Sequence, residues 1–368
     1  MSLSQNRLLS IDVLRGLTIA AMIIVNTPGS WSHVYAPLLH AKWHGCTPTD
    51  LVFPFFLFVV GLSMAFSYSK YDGSNRSQWL VKAMKRTALI FIVGLLLNWF
   101  PFFHKNISEL RIFGVLQRIA LAFGGAAILI LFSRKRMLLV QASVIILLGY
   151  WALMYFGGGV DPYSLEGNLA TSFDIAIAGE SHVYGGFGIP FDPEGIISTI
   201  PCIAHVIIGY LIGGLTVQLK NDLPQLVKKL LVIGVVLVGA GLLWDIFFPI
   251  NKPIWTSSYV LYTIGLGTIL FSAIIYMLDI KKITKWAFPF RVFGINPLIS
   301  YVLSGLFVKM MYHIFNWEGG NLYGWAYTNV FQNLLSPKFG SFLQALLYMS
   351  FIWLFAYALY KKGKVIKL

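Results

Sequence analysis

Residues 11–28, IDVLRGLTIAAMIIVNTP, and residues 50–69, DLVFPFFLFVVGLSMAFSYS, are two apolar runs of membrane-crossing length separated by one polar loop. Hydrocarbon offers the backbone no hydrogen-bond partners, so a spanning segment must satisfy its own amides or join a closed barrel. Both runs are continuously apolar rather than alternating, which excludes barrel strands and leaves helices. Comparable runs recur at 86–103, 111–132, 137–156, 194–219, 228–249, 258–278, 288–313 and 341–360, giving about ten spans. Composition agrees: the chain is 57% hydrophobic and 11% charged, with a mean hydropathy of +0.74, outside the usage of soluble domains. The expected fold is all-α, a polytopic membrane helical bundle. Residues 1–368 read as one transmembrane unit without an internal repeat. The interval 157–193 reads as one large loop, ordered by the apolar anchors Tyr163, Phe173, Tyr184, Phe187 and Phe191.

Lys and Arg accumulate on the cytoplasmic side of short loops, and here they alternate strongly. Arg7, the cluster from Lys70 to Arg86, Arg134 to Arg136, Lys220 to Lys229, Lys281 to Lys285 and the tail from Lys361 to Lys367 hold most of the 28 basic residues. The intervening loops carry Lys42, Lys105, Arg111, Lys252 and Lys338 beside a majority of the acids. Both termini are therefore expected inside. The net charge of +14 marks helix ends facing lipid headgroups, so the partner it implies is the bilayer and not nucleic acid. Arg7 ahead of an apolar stretch imitates a signal peptide, but Asp12 and Arg15 interrupt that stretch and no small-residue cleavage site follows, so it is read as a retained first span. Cys46 and Cys202 have no metal-type spacing and are read as structural.

Charges inside spans are costly and mark structural pairs or sites. Asp12 and Arg15 lie three apart on one helical face, either neutralising each other or leaving Arg15 to bind an anion from the cytoplasm. Arg118 lies too deep to reach water and calls for an acidic or carbonyl partner. Lys309 sits near a helix end where its stem can reach the surface. Asn296, before Pro297, reads as a kink with an interhelical hydrogen bond.

The loop after the first span concentrates the polar chemistry. It holds Asn26, His33, His40, His44 and Asp50. The histidines lack a recognised zinc pattern, so no metal is expected. Use of one imidazole as acid and base fits better. Asp50 could orient His40, hold an ammonium, or cap the second helix. Asp192 and Glu194 stand at the start of the sixth span, where carboxylates favour the helix dipole. Trp43, Trp255 and Tyr259 could sit in the interfacial aromatic belt.

Six segments in register resemble the heparan-α-glucosaminide N-acetyltransferase family and its bacterial relatives. They are RLLSIDVLRGLTIAAMIIVN (7–26), LLHAKWHGCTPTDLVFPFFLFVVG (38–61), RIFGVLQRIA (111–120), FDPEGIISTIP (191–201), NKPIWTSSYVLYT (251–263) and GINPLISYV (294–302). The resemblance implies transfer of an acetyl group from cytoplasmic acetyl-CoA, as co-substrate, to the amine of a glucosamine on the other side. It places the family's active-site histidine on His40 and its asparagine on Asn26, while His44 replaces the usual asparagine of that segment. It also implies a bacterial inner (cytoplasmic) membrane location. Under the same resemblance Asp192 and Glu194 would alternatively recognise the acceptor's amine, and Trp43, Trp255 and Tyr259 would stack on a sugar acceptor. An amine attacks a thioester only when unprotonated, so a base and an oxyanion donor are needed; His40 and Asn26 suit these roles. His40 could act as base or carry the acetyl group itself. The CoA phosphates are expected against Arg15, Lys85 and Arg86. Alternatives with the same polar loop are an O-acyltransferase of a cell-envelope glycan and an amino-sugar transporter. A second copy of the chain is a further candidate partner.

Overall fold

The computed structural model describes residues 8–71, 75–103, 106–133 and 135–366. Arg7, Lys105, Arg134 and Lys367, which entered the charge reading, lie outside the described residues. The chain forms α1 (Leu9–Asn26), α2 (Val52–Tyr68), α3 (Arg76–Trp99), α4 (Val115–Phe132), α5 (Arg136–Gly157), α6 (Leu169–Ala178), α7 (Ile200–Gln218), α8 (Leu223–Asp245) and α9 (Ser257–Ile275). These are followed by α10 (Phe288–Ile295), α11 (Pro297–His313), the two-residue ladder β1 (Asn316–Trp317) and β2 (Gly320–Asn321), α12 (Leu322–Ala326) and α13 (Pro337–Lys361). The protein is an all-α polytopic bundle.

Proline sets several helix ends, because the residue before it is disfavoured in the α region. Asn26 closes α1 ahead of Thr27-Pro28, Trp99 closes α3 ahead of Phe100-Pro101, and Ile295 closes α10 ahead of Asn296-Pro297. At the last of these the chain bends by 78°. The expected continuous span at 288–313 is thus a broken pair. Asn296 holds the break by donating to the Lys364 carbonyl (3.0 Å) and accepting from the Ile366 amide (2.9 Å), so its side chain fastens the C-terminal tail.

Among the described residues, eight helices are long and apolar enough to cross a membrane, or nine if the bent pair counts as one span. The tenth expected span corresponds to α3. It begins ten residues earlier than expected, because Arg76, Lys82, Lys85 and Arg86 are good helix formers that extend the helix into polar surroundings. Lys309 ties its far end, donating to the carbonyls of Leu97 (2.5 Å), Asn98 (3.4 Å) and Phe100 (3.4 Å). Instead of reaching for water, it caps a neighbouring helix C-terminus.

The core lies around α1, α2, α7 and α9, whose spans are 56–67% buried against 28% for the peripheral α5, α8 and α13. The α1–α10 crossing brings two backbones together. A Cβ on Gly16 of α1 would lie 1.6 Å from the Phe290 carbonyl oxygen of α10, and one on Gly294 would lie 1.8 Å from the Asp12 carbonyl oxygen. Arg15 crosses the same joint, donating to the Gly294 carbonyl (2.9 Å) and the Ser63 hydroxyl (2.6 Å) and lying 3.5 Å from Asp12. Gly16→Val is therefore expected to force α1 and α10 apart, destabilising the bundle by at least about 1–3 kcal/mol. A lowered unfolding temperature of the detergent-solubilised protein, with Gly239→Ala in open space as control, checks this.

The 157–193 loop is ordered as expected, but by a different subset of its rings. Phe191, with Tyr150, Met154, Ala170, Phe248 and Ile254, forms a second apolar cluster against which Tyr163, Phe187 and Trp43 pack. Phe173 and Tyr184 are instead 37% and 42% exposed. Asp174 of α6 is buried beneath this loop and accepts from the Ile196 amide at 2.9 Å. Burial pushes its carboxyl up to about 6, opposed by the Ile196 and Ile197 amides and by Arg118. A raised acid pKa means that the unfolded chain ionises first. Stability is then greatest below about pH 4, falls between about pH 4 and 6, and is level above. Asp174→Asn is expected to flatten that slope, worth on the order of 3 kcal/mol, as measured by unfolding temperature against pH.

Candidate functional site

The loop between α1 and α2 is built to present His40. A short 3-10 turn at Ala36–Leu38 starts it, and Thr47 returns it by donating its hydroxyl to the Leu39 carbonyl at 2.7 Å. Thr47 and Asp50 then form a capping box at the start of the second span. Asp50 is 1% exposed. Its Oδ2 accepts from the Thr47 amide (3.0 Å) and the Ala41 amide (3.0 Å), and lies 2.9 Å from the Thr47 hydroxyl, whose one proton it shares with the Leu39 carbonyl. Its Oδ1 lies 2.6 Å from Nδ1 of His40. Asp50 therefore serves as cap and as orienter at once, two roles the sequence left as alternatives.

The second strut comes from 200 residues away. Asn251 shapes the turn before α9, accepting from the Ile254 amide at 3.0 Å, and docks on the His40 loop by donating to the Trp43 carbonyl at 3.1 Å. Gly45 completes the junction by donating its amide to the Ile250 carbonyl at 2.7 Å; its φ of +101° suits glycine. This docking delivers Lys252, whose Nζ lies 3.4 Å from Asp50 Oδ1 and 3.0 Å from His40 Nδ1. Nδ1 cannot both donate to the carboxylate and accept from the ammonium. The 2.6 Å contact to a carboxylate favours an Nδ1–H donor, with Lys252 paired to Asp50 and merely adjacent to the ring. In that tautomer Nε2 carries the lone pair on an imidazole that is 46% exposed. Burial lowers the Lys252 ammonium from its ordinary value, opposed by Asp50 and Glu194. Tyr259 closes the floor, donating its hydroxyl to the Asp50 carbonyl at 2.5 Å.

Asn26, the last residue of α1, is exposed at the same end of the bundle; among the described residues no hydrogen bond joins it to His40. The other two histidines go elsewhere. His33 Nδ1 pairs with the Tyr327 hydroxyl at 2.9 Å, and His44 meets the Asn251 carboxamide at 3.3 Å. Burial lowers the His44 imidazole from its ordinary value, opposed by Asp161 and Asp245. Cys46 and Cys202 are free thiols, and burial pushes Cys46 up to about 12, with the Asp50 charge adding to it.

Several expected binding residues are already engaged. Asp192 and Glu194 are clasped by Arg111, which donates to Asp192 Oδ2 (2.8 Å) and Oδ1 (2.6 Å) and to Glu194 Oε2 (2.5 Å). The two carboxylates raise the guanidinium above its ordinary value against the desolvation that would lower it. Neither acid stands free for a sugar amine. Trp43 donates its indole N–H to the Tyr163 carbonyl at 2.8 Å and packs edge-on against Phe187 and Phe191. Trp255 is fully buried, between Phe53 and Tyr259, each with ring centroids 5.1 Å away. It therefore supports the site from beneath and offers no face to a sugar. Arg118, 1% exposed, donates to the Ser198 hydroxyl and lies over the Trp255 ring at 5.1 Å, with Asp174 near enough to feel its charge. Arg15 is held at the α1–α10 joint, and Arg86 packs over the Phe123 ring at 5.3 Å. Among the described residues no contact unites Arg15, Lys85 and Arg86.

Lys252 and Arg111 contact candidate site residues, Lys252 at Asp50 and His40 and Arg111 at Asp192 and Glu194, and the sequence does not single them out. Both had been counted only as isolated cations between spans.

A family profile described as heparan-alpha-glucosaminide N-acetyltransferase, catalytic, matches residues 7–248. Similar relatives include the human heparan-alpha-glucosaminide N-acetyltransferase, 26% identical over 85% of this chain and 54% of the relative. The mouse protein of the same name is also 26% identical, over 86% of this chain and 55% of its own length. The chain spans about half the length of the curated relatives it matches. With the profile covering well over half of its residues, the chain belongs to the heparan-α-glucosaminide N-acetyltransferase catalytic family.

Proposed function

We propose that the chain is a transmembrane N-acetyltransferase that moves an acetyl group from acetyl-CoA, on the side of the termini, to the amine of a glucosamine-type sugar at the His40 end. The observation carrying this reading is the buried Asp50 carboxylate, 2.6 Å from His40 Nδ1, which leaves Nε2 of a half-exposed imidazole as the basic atom. Family membership supports the reaction class.

In direct transfer, the sugar nitrogen attacks the thioester carbonyl carbon while Nε2 takes the proton that the nitrogen sheds. The C–S bond then breaks, the sulfur leaves with the bonding pair, and the imidazolium returns the proton to it. The amide and free CoA thiol balance the reaction. Asp50, ionised among three donors and Lys252, steadies the imidazolium that forms between the two halves. Asn26, at the same helix end, is proposed as the donor to the oxyanion. Through an acetylated His40 the same nitrogen would act first as nucleophile, with Asp50 unchanged in its role.

The test uses purified protein with acetyl-labelled acetyl-CoA and glucosamine. A base-stable labelled amide is expected. A base-labile ester would move the assignment to O-acyl transfer, and label remaining on CoA would favour a transporter.

A further inference from the structure

The end of the bundle away from His40 carries a cleft of about 170 Å³ that the chemistry above does not use. Tyr68 at the end of α2, Ser133 after α4, and Tyr210 and Gly214 of α7 line it, together with Arg76 and Arg136, the first residues of α3 and α5. Among the described residues, no carboxylate contributes to the lining. Among the described residues neither guanidinium meets an acid. Arg76 lies over the Tyr68 ring at 6.0 Å, and its Nε is buried without a hydrogen-bond partner. Arg136 donates to the neutral Gln218 carboxamide oxygen (2.6 Å) and the Gly214 carbonyl (3.4 Å).

The placement of these cations is unfavourable by itself. A helix N-terminus carries partial positive charge and favours acids, yet here an arginine opens each helix. Neither helix has a side-chain cap or an acid in its first turn. Among the described residues, two cations and two helix starts without a side-chain cap therefore surround one cavity without counter-charge. A multiply charged anion with several acceptor oxygens would balance all four, and phosphate suits both the guanidinium fork and free backbone amides. The hydroxyls of Tyr68, Tyr210 and Ser133 could donate to remaining oxygens.

We propose that this cleft is a binding site for a phosphate ester, with Arg76 and Arg136 as its cations. It lies the length of α2 from Asp50, roughly 25 Å for a 17-residue helix. The phosphate can come from the nucleotide end of CoA or from an anionic lipid headgroup. The site stands without the transferase reading.

The full chain in phosphatidylcholine nanodiscs is titrated with CoA and with 3′-dephospho-CoA, and retention of phosphatidylglycerol is followed separately by native mass spectrometry. Arg76→Gln and Arg136→Gln are each expected to weaken one of these phosphate ligands about tenfold or more, and the double variant to abolish it. Lys228→Gln, on the exposed surface of α8, is expected to leave binding unchanged. Loss confined to CoA names the nucleotide as the source, and loss confined to phosphatidylglycerol names the lipid. Arg136→Lys, which keeps the charge and loses the fork, is expected to bind with intermediate affinity, separating a site effect from misfolding. Wild-type affinity of the double variant for both ligands overturns the proposal. An absence of acetyl transfer with arginine-dependent CoA binding intact would bear on the transferase reading alone.

Discussion

Replacing His40 with alanine is expected to lower acetyl transfer by about 10²–10⁴-fold, the usual worth of a positioned general base, with little change in acetyl-CoA affinity. The imidazole is 46% exposed and its fixed contacts run through Nδ1, so truncation removes the basic nitrogen without opening the apolar core. Asp50→Asn probes the same unit from below. An asparagine can still accept from Nδ1–H, but it cannot supply the negative charge that balances a transient imidazolium and Lys252. A rate loss in this variant without a large change in apparent substrate affinity is expected, because the charge matters most once the proton has moved. Steady-state rates with both substrates varied, beside CoA affinity measured directly, check the pair of variants.

Arg111→Ala is the second large effect expected, and it concerns stability. Asp192 is 0% and Glu194 13% side-chain exposed, and Arg111 is the cation that clasps both. Removing one partner of a buried ionic cluster strands the remaining charges, at a cost of about 3–5 kcal/mol. Asp192 also receives the Tyr184 and Glu194 amides, at 3.1 and 3.0 Å. The loss should therefore spread into the 157–193 loop. Unfolding temperature and protease cutting within that loop are the readouts. Asp192→Asn with Glu194→Gln should soften the penalty in the Arg111→Ala background, because the stranded charges are gone. An Arg111→Ala protein as stable as wild type would mean that the triad adds nothing to the fold.

How far the sequence could be read follows from the range of the interactions. Helices were legible because a spanning segment must be apolar over its own length, a property local to the run. Even so, α3 extends into basic sequence that a hydropathy reading clips, and the break at Asn296 turned one expected span into two. The small ladder of β1 and β2 rests on two residues per strand, too few to leave a pattern. The pairing of His40 with Asp50 spans ten positions and was within reach of a local reading. Lys252 lies 212 positions from His40, and Arg111 lies 81 from Asp192; no periodicity links such pairs. Trp255 was misplaced for a related reason. An aromatic beside a helix start reads as interfacial, but the Asn251 turn, with Trp255 at a φ of +50°, folds its ring inward beneath Asp50.

At the centre of the proposed mechanism, His40 serves acetyl transfer, as base or as carrier, at the end of the bundle opposite to where acetyl-CoA arrives. Proteoliposomes of uniform orientation, with labelled acetyl-CoA on the side of the chain termini and glucosamine confined to the other, test it most directly. Labelled N-acetylglucosamine appearing on the glucosamine side, and absent with His40→Ala, is the predicted result. Product formed only when both substrates share one side would contradict it.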